Sequence, residues 1–142
     1  MNLSPNFTLE ELTVTDHREF DNSPTQEEIS NLQRLAQLLE QVKNTLGGKP
    51  IMVNSAFRCK AVNDAVGSSD KSQHRHGCAC DIRVPGMTPD EVVRAVIAAG
   101  LPYDQIIREF DRWTHISIPN VDGGTPRGNA LIIDRSGTRQ FA

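Results

Sequence analysis

The sequence predicts an α+β fold, with a mainly antiparallel sheet and flanking helices. Three capping boxes, each a threonine followed three residues later by a glutamate, indicate helix starts at residues 8, 25 and 88. Strand-like apolar runs lie between and after these helices without strict alternation, and the last runs resemble hairpins. Helices and hairpins that do not alternate regularly are typical of α+β proteins.

The individual elements follow from apolar spacing and from the residues that end each segment. Thr8 opens a short helix, and Thr25 opens a long amphipathic helix that ends at the glycine pair 47–48. Thr88 opens a third helix, which ends at Gly100. The predicted strands are residues 51–53, 79–84, 105–110, 114–118 and 130–134, and residues 120–129 are predicted to form an exposed loop.

Length and composition limit the class of protein. A chain of 142 residues is long enough for one domain, so we expect a single domain over residues 1–142. The net charge of −3 gives no signal for nucleic-acid binding. No run of 18 apolar residues is present, so we expect no membrane contact. The N-terminal residues show no secretory signal, which predicts a cytoplasmic protein in the producing cell, and we expect a monomer.

The segment SQHRHGCACD, residues 72–81, concentrates possible metal ligands. His74 and Asp81 are seven residues apart, and on a continuous helix they would lie ~10 Å apart along the axis, too far for one ion. A turn at Gly77 would allow both side chains to reach one point. His76 could serve instead of His74, and spacing alone does not choose between them. Cys78 and its neighbour at position 80 are predicted to be buried free thiols.

A metal site needs a third ligand, and only two other histidines are available. His17 lies in a polar N-terminal stretch, whereas His115 lies in the apolar strand WTHIS. His115 is the better candidate because a strand fixes the direction of its side chains. The sequence therefore allows, but does not by itself establish, a metal site of two histidines and an aspartate.

Three motifs together carry a family resemblance. They are S-x-H-x-x-G-x-A-x-D at Ser72, His74, Gly77, Ala79 and Asp81, W-x-H at Trp113 and His115, and S-x-[FY]-R at Ser55, Phe57 and Arg58. The ten-residue motif is specific, whereas the two shorter motifs alone would be weak. With these motifs the chain resembles the zinc D-Ala-D-Ala peptidases of the M15 type, whose fold is shared with the Hedgehog signalling domain, over roughly residues 5 to 120. It is especially similar to the small single-domain members common in phages.

The resemblance implies that His74, Asp81 and His115 hold one zinc ion per chain. Two nitrogens and one carboxylate oxygen leave the fourth position of a tetrahedral ion open, as in catalytic rather than structural sites. The implied activity is that of a zinc metallopeptidase, carboxypeptidase or endopeptidase, that hydrolyses amide bonds of peptidoglycan stem peptides, of D-Ala-D-Ala or L-Ala-D-Glu type. We expect a phage-type lysis enzyme that acts on the cell wall after release from the host cytoplasm.

The general base is less clear, because the chain departs from the family pattern. Many relatives carry an acid three residues before the last histidine, and here that residue is Arg112, which cannot act as a base at neutral pH. The remaining candidates are Glu109 and Asp111. The Hedgehog-like members resemble this chain in having a glutamate six residues before the last histidine, which favours Glu109.

The predicted hairpin supports the same choice. Joining its two faces consistently requires a loop with an odd number of residues, and a loop of residues 111–113 would place Glu109 directly opposite His115. Asp111 would then lie in the turn. One predicted face carries Ile106, Phe110, Ile116 and Ile118, and the other carries Ile107, Glu109, His115 and Ser117.

Arg58 and Ser72 are the candidate substrate-binding residues. A guanidinium at the rim of the site could pair with a peptide carboxylate or stabilise a developing oxyanion. Ser72 is expected to support a ligand or to contact substrate. Two rival hypotheses keep the zinc but remove turnover: a binding module of the Hedgehog-like type, and a phage structural component whose zinc stiffens the fold.

Overall fold

The computed structural model describes residues 1–141. None of the helices in this range combines the length and the apolar character that crossing a bilayer requires. Two 3₁₀ helices span Glu11–Thr13 and Gln73–His76. The α-helices are α1 (Gln26–Thr45), α2 (Lys60–Ala65) and α3 (Pro89–Ala98), and the strands are β1 (Asn2–Ser4), β2 (Phe7–Thr8), β3 (Met52–Ser55), β4 (Ala79–Arg83), β5 (Gln105–Glu109), β6 (Trp113–Ser117), β7 (Asn129–Asp134) and β8 (Gly137–Gln140).

The main sheet confirms the predicted fold class. Its six strands lie in the order β3-β4-β6-β5-β7-β8, and all neighbours are antiparallel except the parallel pair β5 and β7. The small β1–β2 hairpin forms a second sheet. In the main sheet, β4 and β6 are neighbours, so residues from two distant parts of the chain lie side by side at its centre.

The capping boxes identify the helix starts correctly. Thr25 and Thr88 are the N-caps of α1 and α3, and both reciprocal hydrogen bonds of each box are present. The pair Thr8 and Glu11 also bonds reciprocally, but it precedes a single 3₁₀ turn. Sequence reasoning missed β1, β2, α2 and β8, because short or exposed segments carry little apolar periodicity.

One apolar core joins the two longer helices to the sheet. Leucines of α1 and valines of α3 pack with Ile82, Ile106 and Ile116 of the three central strands. Burying a side chain of this size stabilises the fold by ~1.5–3 kcal/mol. Cys78 and Cys80 belong to this core as free thiols, as predicted, and burial raises the pKa of Cys80 well above its usual value.

The register of the β5–β6 hairpin differs from the prediction. The prediction that Glu109 lies opposite His115 is wrong by two residues. In the structure, Glu109 pairs with Trp113, and Ile107 pairs with His115. The loop still has an odd number of residues, so Glu109 and His115 share one face of the sheet as expected.

The turn itself explains the shift in register. Phe110 and Asp111 both have φ of 53°, and the backbone N–H of Arg112 donates to the carbonyl of Glu109 at 3.0 Å. Two consecutive left-handed residues make a tight turn within the three-residue loop 110–112. Such turns favour Asn, Asp and Gly, so the Phe110 position gave no turn signal. Phe110 is consequently 44% exposed instead of lying on the predicted apolar face.

Candidate functional site

His74, Asp81 and His115 lie together in the centre of the molecule. His74 is on the second 3₁₀ helix, Asp81 is on β4, and His115 is on β6 directly across from Asp81. One potential ligand atom of each residue lies within 4.8 Å of the others, and all three residues are buried. The structure therefore brings together the three residues that the family resemblance implies; we call them the ligand cluster.

The tautomer of His74 follows from its environment. Nδ1 of His74 lies 2.7 Å from the carbonyl oxygen of Ala56. Because a carbonyl only accepts hydrogen bonds, Nδ1 carries the proton and Nε2 is left with a lone pair. A backbone partner of this kind orients a metal-binding histidine. Burial lowers the pKa of His74, which favours the neutral form that metals require.

Asp81 lies between the two histidine rings. Its Oδ1 is 3.3 Å from Nε2 of His74 and 3.0 Å from Nδ1 of His115. Burial by itself raises the pKa of Asp81, but the interactions with His115 and His74 outweigh it and hold the pKa well below the usual value. The carboxylate is therefore ionised at neutral pH.

The ligand cluster fits a zinc ion. In this neutral tautomer the lone pair of His74 Nε2 faces a carboxylate oxygen at 3.3 Å, and a cation between the two acceptors would stabilise the contact. Donor atoms that share a tetrahedral zinc ion at ~2.0–2.1 Å are separated by about 3.3 Å, which agrees with the contacts of Asp81 Oδ1. Two nitrogens and one oxygen also match the donors of catalytic zinc sites.

Gly77 and Ser72 shape the segment that carries His74. Gly77 ends the 3₁₀ helix with φ of 76°, and a Cβ at this position would lie 2.9 Å from the carbonyl oxygen of Glu28 and 3.1 Å from Leu32 Cγ. Only glycine allows α1 to approach this closely. The hydroxyl of Ser72 accepts from the backbone N–H of His74 at 3.3 Å, so Ser72 supports a ligand residue by capping its helix.

Arg58 contacts the side of Asp81 that faces away from the histidines. Nη2 of Arg58 is 3.6 Å from Asp81 Oδ2, and its Nε donates to the hydroxyl of Ser55 at 3.2 Å. The Arg58 side chain is 14% exposed. Burial lowers the pKa of Arg58, and the charges of Asp81 and Glu109 oppose that shift. The guanidinium therefore places a positive charge beside the ligand cluster.

Glu109 has the position and the environment expected of a general base. Its Oε1 lies 4.0 Å from Nδ1 of His115, and its side chain is 19% exposed. Burial, reinforced by the negative charge of Asp81, raises the pKa of Glu109. A carboxylate with a raised pKa that remains open to solvent can both accept and return a proton.

Asp111, the alternative base, has a different environment. Its side chain is 68% exposed and pairs with Nε of Arg108 at 3.1 Å. It lies in the left-handed turn, and Arg112 beside it is also exposed. The structure thus brings Glu109, and not Asp111, to the ligand cluster.

Sequence comparison supplies the family. A family model described as Peptidase M15 matches residues 5–117, which is most of the chain and includes the whole ligand cluster. The chain belongs to the Peptidase M15 family. No curated protein matches the chain at a significant level. Membership confirms the resemblance seen in the three motifs and identifies the chain as a peptidase.

Within the described residues 1–141, the other two histidines of this M15 peptidase, His17 and His76, lie outside the ligand cluster. His76 is on the same 3₁₀ helix as His74 and is half-buried. His17 is near Glu19, at 3.3 Å, and lines a cavity of about 170 Å³ that Arg58 also lines. The fold therefore favours His74 over His76, a choice that spacing could not make.

Gln73, for which the sequence predicted no role, connects several parts of the site in the structure. Its Nε2 lies within donating distance of the carbonyl oxygen of Ile118 (2.9 Å), Asp104 Oδ2 (3.1 Å) and Asn120 Oδ1 (3.2 Å). These contacts connect the helix of His74 to the end of the strand of His115. Asp104 is in turn held by Arg127, whose Nη2 is 2.7 Å from Oδ2. The only sequence signal was the position of Gln73 inside the motif.

Proposed function

We propose that this M15 peptidase is a zinc-dependent enzyme that hydrolyses amide bonds in peptidoglycan stem peptides. The observation that carries the proposal is the ligand cluster with a second carboxylate, Glu109, 4.0 Å from one of its ring nitrogens. A structural metal site has no need of an additional, partly exposed carboxylate with a raised pKa at its edge. The substrate class rests on the family and on the three motifs.

His74, Asp81 and His115 would hold the ion. When bound, zinc supplies a Lewis acid that polarises the scissile carbonyl and lowers the pKa of a water molecule. The residues already favour this state, because Nε2 of His74 is unprotonated and Asp81 is ionised. Only small adjustments of these side chains are required, which limits the cost of assembling the site.

Glu109 and Arg58 perform the proton transfer and the charge stabilisation. Glu109 accepts a proton from the attacking water as the oxygen adds to the amide carbon. It then returns the proton to the nitrogen as the C–N bond breaks, which yields a carboxylate and an amine. The Arg58 guanidinium stabilises negative charge on the substrate, either on the carbonyl oxygen or on a peptide carboxylate. Ser72 contributes by holding the helix of His74.

The proposal is tested by digesting purified peptidoglycan with the zinc-loaded protein and identifying the fragments by mass spectrometry. We expect new amine and carboxylate termini in the stem peptides, and their masses identify the bond and distinguish exopeptidase from endopeptidase action. Removing the metal with a chelator should abolish the products, and adding zinc should restore them. Glu109→Gln, loaded with zinc, is the matched inactive control.

The same experiment distinguishes the enzyme from the binding-module hypothesis. A protein that binds one zinc ion and peptidoglycan fragments but releases no new termini would be a module of the Hedgehog-like type. Glu109 supports the enzyme, because it replaces the acid that is missing at Arg112. Unfolding of the whole chain on metal removal would instead favour a structural ion.

We extend the proposal to a lysis enzyme of the phage type, whose substrate is the cell wall of the producing host. Expression in a bacterium with and without a pore-forming partner tests this role. Lysis that requires the partner is expected, and lysis that is equal in both cultures would contradict it.

A further inference from the structure

One buried polar atom beside the candidate site has no hydrogen-bond partner. Within residues 1–141, Nε1 of Trp113 is the one buried side-chain nitrogen or oxygen without an acceptor in hydrogen-bonding geometry. The indole N–H is only a donor, and buried donors are rarely left unpaired. Because Nε1 is buried, an acceptor that already packs beside the indole is its natural partner.

Glu109 is the neighbour that can supply an acceptor. Trp113 and Glu109 are directly paired across the β5–β6 hairpin, and their side chains share the face that carries His115. The indole N–H also interacts with the Glu109 carboxylate and contributes to lowering its pKa, against the larger effect of burial. The donor and the carboxylate are therefore close but not yet in hydrogen-bonding geometry.

The turn holds the indole in place for this contact. The rings of Phe110 and Trp113 have centroids 6.2 Å apart and are tilted by 44°. Phe110 is kept in a left-handed conformation, which is costly for a bulky residue and is typical of functional sites. Its backbone N–H donates to the carbonyl of Ile133 at 2.8 Å, which attaches the turn to β7.

We propose that Trp113 is a positioning residue for Glu109: its indole N–H donates to one carboxylate oxygen and directs the other towards the ligand cluster. The Glu109 side chain is 19% exposed, so its torsions are free to change towards the indole. The bond selects one orientation of the base, which is the kind of pre-organisation that proton transfer requires. This inference rests on the proposed role of Glu109 as the base.

Nuclear magnetic resonance tests the contact independently of activity. Trp113 is the sole tryptophan, so the zinc-loaded protein labelled with ¹⁵N gives one indole N–H signal. We expect a downfield proton shift and slow exchange with solvent in the wild type. Glu109→Leu removes the acceptor and should move the signal upfield and speed the exchange, whereas Asp111→Asn should leave both unchanged. A signal that is insensitive to Glu109→Leu would overturn the proposal.

Kinetics test the consequence for the base. Trp113→Phe keeps an aromatic ring and removes the N–H; we expect kcat to fall about tenfold, the effect of one lost hydrogen bond, with KM and zinc content unchanged. In the Glu109→Gln background the same substitution should cost nothing further. Equal losses in both backgrounds, or a change in KM alone, would contradict a positioning role. If the wild type proves inactive, the proposed function fails, while the resonance experiment still decides the contact.

Discussion

The ligand cluster lies on two paired strands and a capped 3₁₀ helix, whereas Glu109 lies beside a tight turn. Each donor of the cluster has a partner fixed by the backbone: Asp81 pairs with His115 in the sheet, and His74 bonds to the Ala56 carbonyl. Glu109 is the last residue of β5, paired with Trp113 and Ile133, and it borders a hairpin tip, residues 109–113, in which two residues have positive φ. The ligand cluster is therefore fixed within paired strands, and Glu109 lies at the end of a strand beside the turn.

Replacing a ligand should have the largest effect. His74→Ala, Asp81→Ala and His115→Ala each remove one donor from a buried three-residue site, so we expect zinc loss and an undetectable rate in all three. Metal analysis after dialysis, together with the peptidoglycan digest, measures both.

His76→Ala is the matched control for the ligand variants, because it removes a histidine from the same 3₁₀ helix. It should retain one zinc ion and most of the activity. Zinc loss in His76→Ala with retention in His74→Ala would show that the ligand assignment is wrong.

Glu109→Gln tests the role of Glu109 as the proposed general base. The amide keeps the shape of the side chain and cannot accept the proton, so kcat should fall by ~10²- to 10⁴-fold. The zinc content should not change, because Glu109 is outside the ligand cluster. Asp111→Asn, which changes an exposed carboxylate two residues away, should keep most of the activity. The reverse pattern would move the base to Asp111.

The ligand cluster and Glu109 also differ in how far the sequence predicted them. The family resemblance implied His74 and Asp81, the strand WTHIS favoured His115, and the structure brings the three together as a group that could hold a metal ion. The face of Glu109 was predicted correctly from alternation. Its register was not, because a two-residue slip preserves alternation and is decided only by the turn at Phe110, whose residue type gave no signal.

The same reasoning applies to the wider fold. The capping boxes and apolar runs predicted α1, α3 and the central strands, whose stability comes from burying one face. The β1–β2 hairpin, α2 and β8 escaped prediction because they are short or exposed and carry little apolar periodicity. The role of Gln73 depends on three acceptors that only the folded chain brings together.

A smaller effect is expected for Gly77→Ala, which perturbs the helix of His74 without removing a metal-ligand atom. The added Cβ meets the Glu28 carbonyl oxygen at 2.9 Å and also requires an unfavourable φ, so we expect a loss of about 1–3 kcal/mol of stability and weaker zinc binding. Thermal unfolding and zinc titration measure these changes.

Gly67→Ala separates the two causes. Gly67 has almost the same φ, 75°, but its Cβ would meet no atom within 4 Å. It should lose some stability from the backbone conformation alone and bind zinc normally. Equal loss of zinc affinity in both variants would mean that the approach of α1 to Gly77 does not position His74.

The smallest effect is expected for the contacts of Gln73 and Arg127 with Asp104, which help to hold the 3₁₀ helix of His74 near the end of β6. Burial by itself raises the pKa of Asp104, but hydrogen bonds from Arg127 and Gln73 outweigh it and lower the pKa below the usual aspartate value. A lowered pKa in the folded protein contributes stability above the pKa of the unfolded chain, and that contribution is lost as the pH falls through the folded value.

Asp104→Asn should therefore cost about 1 kcal/mol at pH 7, a modest figure because Arg127 is half-exposed, and progressively less below about pH 4. Urea unfolding of both proteins in chelator, at several pH values, measures the difference without a contribution from metal release. A difference that does not change with pH would mean that the Asp104 charge contributes nothing, and that its hydrogen-bond geometry alone holds the helix of His74 against β6.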